Sequence, residues 1–229
     1  LMINWLVLNA VILIFAYLLG ATPSGYWIGS WFYGIDIREQ GSGSTGATNV
    51  LRTLGKLPAI LVLVIDILKG VLAIALVRYI YSLAFAQNLT IVAGVTDIDI
   101  AKEWMVVLAG LVAIIGHTKS IWIGFKGGKS VASSLGILLT MSWVVGLGTL
   151  SIFIAVLTIS RIVSLSSIMA AIAVSGLMFF TGQSLPYKIF AIAGGVYVIW
   201  RHSSNIQRLL AWKEPRIGQK LSTKLEINE

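Results

Sequence analysis

From Val131 to Ile159 the chain runs for 29 residues without a charged side chain, and most of those residues are apolar. Predominantly apolar runs also cover Ile3–Leu19, Leu57–Ile80, Trp104–Gly116, Ile162–Thr181 and Ile189–Trp200. A bilayer core takes a helix of about 20 such residues. In lipid a single segment can satisfy its own backbone only as a helix. Only 11% of the 229 residues are charged, against about a quarter in soluble domains. The chain therefore reads as an all-α integral membrane protein, with its first apolar run retained as a span and no cleaved leader.

The number of crossings follows from the charges. If the 29-residue run is two short helices, broken near Gly146 and Gly148, the chain crosses seven times. The loop after Arg38, the cluster around Lys126, the bend at Arg161 and the basic tail then share one side, which holds 13 of the 17 Lys and Arg. Arg78, Lys102 and Lys188 lie opposite, and Lys69 lies within the membrane. A single long helix would send Arg161 and the whole tail outside, against the positive-inside bias. The expectation is seven transmembrane helices in one domain, residues 1–229, with the N-terminus outside, the C-terminus cytoplasmic and the polar loops on the cytoplasmic face. Trp104–Gly116 has only 13 residues and is expected to be a short span. Residues 219–229 are expected to form a flexible tail.

The polar loops carry the chemistry. Between Arg38 and Lys56, Gly41, Gly43 and Gly46 alternate with Ser42, Ser44, Thr45, Thr48 and Asn49, and Arg52 follows. Glycines let successive N–H groups face one point, hydroxyls add donors, and the bases add charge, which suits a phosphate. Gly41, Gly43 and Gly46 also satisfy the dinucleotide-binding formula, but a membrane helix precedes them where that fingerprint needs a strand. The P-loop fails too, because Ala47 stands where its lysine belongs. A second loop, Gly116–Ser130, brackets Gly127 and Gly128 with Lys126 and Lys129, a second phosphate-suited arrangement.

Arg161 and Ser164 form a third polar bend, which taken alone reads as a helix N-cap. A fourth cluster contains Arg201, His202, Asn205 and Arg208. Its His202 and Asn205 are three residues apart and share a helix face, as an ordinary interfacial basic helix would also arrange them. Asp66 and Lys69 are placed to pair inside the membrane. The lack of cysteine excludes disulfides, thiolate metal sites and a thioester intermediate.

Taken together, these segments resemble the PlsY family of integral-membrane acyl-phosphate:glycerol-3-phosphate acyltransferases. The resemblance rests on GIDIREQGSGSTGATNVLRTLGK from Gly34, DILKG from Asp66, the GH and FKGGKS of Gly116–Ser130, RIVSLSSI from Arg161, and RHSSNIQRLLAWKEPRIG from Arg201. It implies acyl transfer from acyl phosphate to the sn-1 hydroxyl of glycerol 3-phosphate, at the cytoplasmic face of a bacterial-type plasma membrane. It also implies a catalytic group of Ser42, Arg52, Lys126, His202 and Asn205. Substrate contacts would come from Gly41, Gly43, Thr48, Asn49, Gly127, Gly128, Lys129, Ser164 and Arg201. No cofactor, metal or nucleic acid is expected; the partners are the two substrates and the bilayer.

The chain departs from the family pattern at Ser44, Thr118–Ser120, Ser130, Ser203, Ser204 and Ala211, none of which removes a basic residue from the proposed phosphate sites. Neither His117 nor His202 has an aspartate five residues on, so the HxxxxD arrangement of another glycerolipid acyltransferase family is absent. A substrate phosphate oxygen is therefore expected to take the proton of the attacking hydroxyl. The competing class is a transporter of a phosphorylated solute, which Asp66 and Lys69 would suit. Against it, the polar clusters gather on one side and no inverted repeat is visible.

Overall fold

The computed structural model describes residues 2–219, so all of the expected 219–229 tail but Gln219 lies outside the described residues. Within that range the chain is all helical: α1 (Met2–Ala21), α2 (Ser24–Tyr33), α3 (Ala47–Thr53), α4 (Lys56–Ser82), α5 (Ala84–Val92), α6 (Ile98–Thr118), α7 (Val131–Met141), α8 (Trp143–Ser160), α9 (Val163–Phe180), α10 (Leu185–Arg201) and α11 (Ser203–Leu210). Of these, α1, α4, α8 and α9 are long and apolar enough to cross a membrane.

Two boundaries differ from the sequence expectation. The span expected at Trp104–Gly116 is 21 residues long as α6, because its charged beginning is helical too. Asp97 caps it, its carboxylate accepting the Ile100 N–H at 2.9 Å, and Asp99 favours the positive end of the helix dipole. The long uncharged run breaks at Ser142, whose extended backbone (φ −151°, ψ 106°) separates α7 from α8. The expected break at Gly146 and Gly148 falls inside α8 instead. Gly146 serves the tight return, since a Cβ there would lie 2.8 Å from the Leu139 backbone.

Helix α7 has 11 residues and is about 16 Å long, half a bilayer core. Its register on α4 comes from two glycines: a Cβ on Gly70 would strike the Ser133 carbonyl, and one on Gly136 the Ile67 carbonyl. Arg78 closes the far end by donating to the Met141 carbonyl at 3.1 Å. Residues 133–137 of α7 thus cross residues 67–71 of α4. Leu63, Asp66 and Ile67, at and just before that crossing, line the cavity described below.

The main core joins α1, α4, α6, α7, α9 and α10 through buried Ile74, Val77, Ala113, Ile114, Ile137, Met178 and Phe190. A smaller core of Ile28, Ile37, Val50, Ala59 and Val62 holds α2, α3 and the glycine-rich loop against the start of α4. The Asp66–Lys69 pair forms as expected, at 2.8 Å, with both residues buried. Ser24 donates to Asp66 at 2.7 Å and Lys69 donates to the Thr22 carbonyl at 2.8 Å, so both charges are solvated by the break between α1 and α2.

Candidate active site

The first loop is built around Asn49, the buried beginning of α3. Its Oδ1 accepts the Ser42 N–H at 2.8 Å, and its Nδ2 is shared among the carbonyls of Ile37, Gln40 and Ser44. Asn49 spends its hydrogen bonds on loop shape, which presents Ser42 outward. Gly41 (φ 56°) and Gly43 (φ 71°) take the left-handed conformation that this coil requires. Arg38 bridges to the second loop, pairing with Asp36 at 2.6 Å and donating to the Ile123 carbonyl at 3.0 Å.

In the second loop, His117 lies directly beneath the glycine pair. Its carbonyl accepts the Gly128 N–H at 3.2 Å, and a Cβ on either Gly127 or Gly128 would collide with it. The imidazole is steadied by Ser133 at 3.3 Å and lies 3.8 Å from Asp66, so the intramembrane ion pair underlies the loop. Arg201, from the end of α10, donates to the Gly128 carbonyl at 3.1 Å. Its buried Nε has no hydrogen-bond partner among the described residues.

The third and fourth clusters meet at Glu214, a residue the sequence reading did not single out. Its carboxylate accepts from Ser164 at 2.7 Å, Asn205 at 2.6 Å and Arg208 at 2.7 Å. Burial alone would raise this carboxyl, but the three hydrogen bonds outweigh it and hold the group ionised. Asn205 then offers its Oδ1 to the Lys129 ammonium. Ser164 is thus not an N-cap; Ile162 holds that position in α9. The clue in the sequence was that Glu214 is a lone acid among Arg208, Lys213 and Arg216.

Two adjoining cavities result. The larger, about 470 Å³, is lined at one end by Ser42, Thr48, Asn49, Arg52, Lys129, Ser164, His202, Asn205 and Glu214. Toward the other end its lining is apolar: Leu63 and Ile67 from α4, Leu138 from α7, Phe153 from α8, Val174 from α9, Phe190 and Gly194 from α10. The smaller, about 320 Å³, is polar and shares Ser42, Ser44 and Lys129 with the first, adding Gly43, Gly127, Arg201, Ser203 and Ser204. Lys126, Gly41 and Gly128 line neither cavity. Lys126 is exposed, while Gly128 contributes its carbonyl to Arg201.

The electrostatics of the polar end favour an anion. Burial, with the nearby charges of Arg208, Arg201 and Arg52, lowers the Lys129 ammonium to about 8. Burial also lowers His202 to about 4, so it is a neutral imidazole whose Nδ1–H donates to the Val198 carbonyl at 2.7 Å. Arg52 has no ion-pair partner among the described residues and only a 3.5 Å contact to the Pro215 carbonyl. Among the same residues no three His, Asp or Glu side chains are placed to hold a metal.

The family profile described as Glycerol-3-phosphate acyltransferase matches residues 10–212. The chain belongs to the PlsY family of integral-membrane glycerol-3-phosphate acyltransferases. It is 86% identical over 228 residues to the glycerol-3-phosphate acyltransferase of Trichodesmium erythraeum (strain IMS101), covering 100% of both chains. It is 60% identical over 222 residues to that of Nostoc sp. (strain PCC 7120 / SAG 25.82 / UTEX 2576), covering 97% of each. The fold matches crystal structures of PlsY (YgiH), an integral membrane glycerol 3-phosphate acyltransferase. The glycerol 3-phosphate form superposes with a TM-score of 0.78 at 35% identity, over 92% of this chain and 96% of that one. The lysophosphatidic acid form gives 0.76 at 34% identity, over 92% and 95%. This acyltransferase is accordingly a membrane-bound enzyme of phospholipid synthesis, and residues of all four polar clusters line the two adjoining cavities.

Proposed function

We propose that the enzyme transfers a fatty acyl group from acyl phosphate to the sn-1 hydroxyl of glycerol 3-phosphate. The products are 1-acyl-glycerol 3-phosphate and inorganic phosphate. One observation carries this reading: a single cavity joins a basic, hydroxyl-rich end to an apolar interior among α7, α8, α9 and α10. Such a cavity suits a molecule with a phosphate head and a hydrocarbon tail. The polar cavity beside it suits a second, water-soluble phosphate, and related PlsY structures hold glycerol 3-phosphate and lysophosphatidic acid.

In this reading Arg201 and the Gly43 and Gly127 backbones hold glycerol 3-phosphate, while Arg52, Ser164, Asn205 and His202 hold the phosphate of the donor. Ser42 and Lys129, common to both cavities, stand where the two meet. The sn-1 oxygen attacks the acyl carbonyl carbon, and the bond from that carbon to the phosphate oxygen breaks. The bases stabilise the charge that passes to the leaving phosphate. Acyl phosphate is already activated, so positioning and charge stabilisation are sufficient. A histidine lowered to about 4 is a weak base at neutral pH, which favours a substrate phosphate oxygen as proton acceptor. Lys126, exposed beside this site, is assigned to guiding anions toward it rather than to the reaction itself.

The topology that fits is seven crossings, with the N-terminus outside and the catalytic loops toward the cytoplasm of a plasma membrane. Three of those crossings (α6, α7 and α10) do not meet the length and composition of an independent span. Neighbouring helices shield them. Purified enzyme in detergent should release phosphate from acyl phosphate only when glycerol 3-phosphate is present, without any gradient. In sealed vesicles, external glycerol 3-phosphate should be consumed by inverted membranes and spared by right-side-out ones. Release without the acceptor, or the opposite sidedness, would refute the assignment. His202→Ala should retain measurable turnover at saturating substrate; a loss of ~10³-fold with glycerol 3-phosphate binding intact would make His202 the base.

Lys129 adds a pH dependence. A lysine lowered to about 8 is charged below that pH and loses its charge above it in the free enzyme. The kcat/KM for glycerol 3-phosphate should therefore fall as pH rises through about 8. Lys129→Arg should remove that limb; an unchanged profile would take Lys129 out of phosphate binding.

A further inference from the structure

We infer that Gly194 and Phe190 of α10 set the length of acyl chain that the enzyme accepts. The inference rests on the acyl-donor reading above. The apolar part of the cavity follows α10, whose Val198, Gly195, Gly194, Ala191 and Phe190 all line it. At 1.5 Å per residue, Gly194 lies ~12 Å and Phe190 ~18 Å along the helix from His202. An extended chain advances ~1.2 Å per bond, so Gly194 stands beside about the tenth carbon and Phe190 beside about the fifteenth.

Phe190 is a fixed floor. It is 2% exposed, and its ring is pressed against Gly110 of α6, where an added Cβ would lie 2.9 Å from Phe190 Cε2. Ile137 of α7 closes the same point, 3.2 Å from that Cβ position. The ring is thus packed in the buried core shared with α6 and α7.

Gly194 is a different kind of glycine from those at helix crossings. A Cβ there would meet nothing nearer than Ile114 Cδ1 at 3.7 Å and Phe190 at 3.8 Å, which is ordinary contact. It lies inside a regular helix, where alanine is the better residue. Neither the packing nor the backbone requires a glycine, and what its missing side chain provides is room in the cavity. Its neighbour Gly195 is required sterically, because a Cβ there would sit 2.8 Å from the Ala171 carbonyl oxygen.

The test is the donor profile of the full-length enzyme, measured with acyl phosphates from short to long chain at saturating glycerol 3-phosphate. Gly194→Leu should lower kcat/KM for a chain of ~16 carbons by roughly ten-fold or more and leave a chain of ~8 carbons nearly unchanged. Phe190→Ala should shift the preference toward longer chains. Gly194→Ala, which the space accommodates, should show the same trend in smaller measure and keeps the test decisive if the leucine variant does not fold. Equal losses at every chain length, or an unaltered profile, would overturn the inference. A wild-type enzyme that uses no acyl phosphate of any length would instead sink the donor assignment, and this inference with it.

Discussion

Arg52→Ala is expected to reduce turnover by 10²–10³-fold or more while the protein keeps its fold. The guanidinium is half-buried at the polar end of the larger cavity, and no carboxylate among the described residues pairs with it. Its one hydrogen bond among the described residues, to the Pro215 carbonyl, is long at 3.5 Å. A cation left so poorly satisfied costs stability unless a substrate anion completes it, so removing it does not weaken the folded state. The contact it makes with phosphate is charge-assisted and strengthens as the leaving group gains charge. Arg52→Lys should restore only part of the activity, because an ammonium cannot present two parallel donors. Phosphate release at saturating substrates and a thermal melt in detergent check both halves. Normal turnover by the alanine variant would remove Arg52 from the reaction.

The second large effect is on stability. Asp66→Ala should cost about 3–5 kcal/mol, because it strands the Lys69 ammonium inside the protein and removes the acceptor of Ser24. For a chain of this size the melting midpoint should drop on the order of 10 °C. Asp66→Leu combined with Lys69→Met should recover most of that loss, since an apolar pair fills the same buried site without a desolvation penalty. A single variant that melts like the wild type would mean that Lys69 finds another partner or leaves the interior. The double variant should still raise the KM for glycerol 3-phosphate, because Asp66 lies 3.8 Å from His117, which supports the Gly127–Gly128 turn.

Much of the lining of this candidate site could be read from the chain before its fold was known. Ser42, Arg52, His202, Asn205, Lys129, Ser164 and Arg201 lie in four clusters far apart in sequence, and all of them line the paired cavities. The Asp66–Lys69 pair was legible because two charges three residues apart in an apolar helix have few ways to be satisfied. Lys126 and Lys129 were not separable. They bracket the same two glycines, and which one turns inward depends on the left-handed backbone at Phe125 and Ser130 and on the His117 ring below. Glu214 was missed because its role exists only through Ser164, Asn205 and Arg208, donors that the fold brings to it.

What the sequence determined by itself is therefore what one-dimensional patterns carry. Run length and the lack of charge make a helical membrane protein, and the asymmetry of Lys and Arg predicts its orientation. The ordered motifs name a family. Only the tertiary structure decided that the uncharged run breaks at Ser142, leaving α7 half the length of a span. Only it joined a basic, hydroxyl-rich end to an apolar chamber in one cavity. The physical reason is that hydropathy acts through each segment's own exchange between water and lipid. The shape of a cavity depends instead on which helices approach closely, and that is settled by contacts such as Gly70 on Ser133, Gly136 on Ile67 and Phe190 on Gly110.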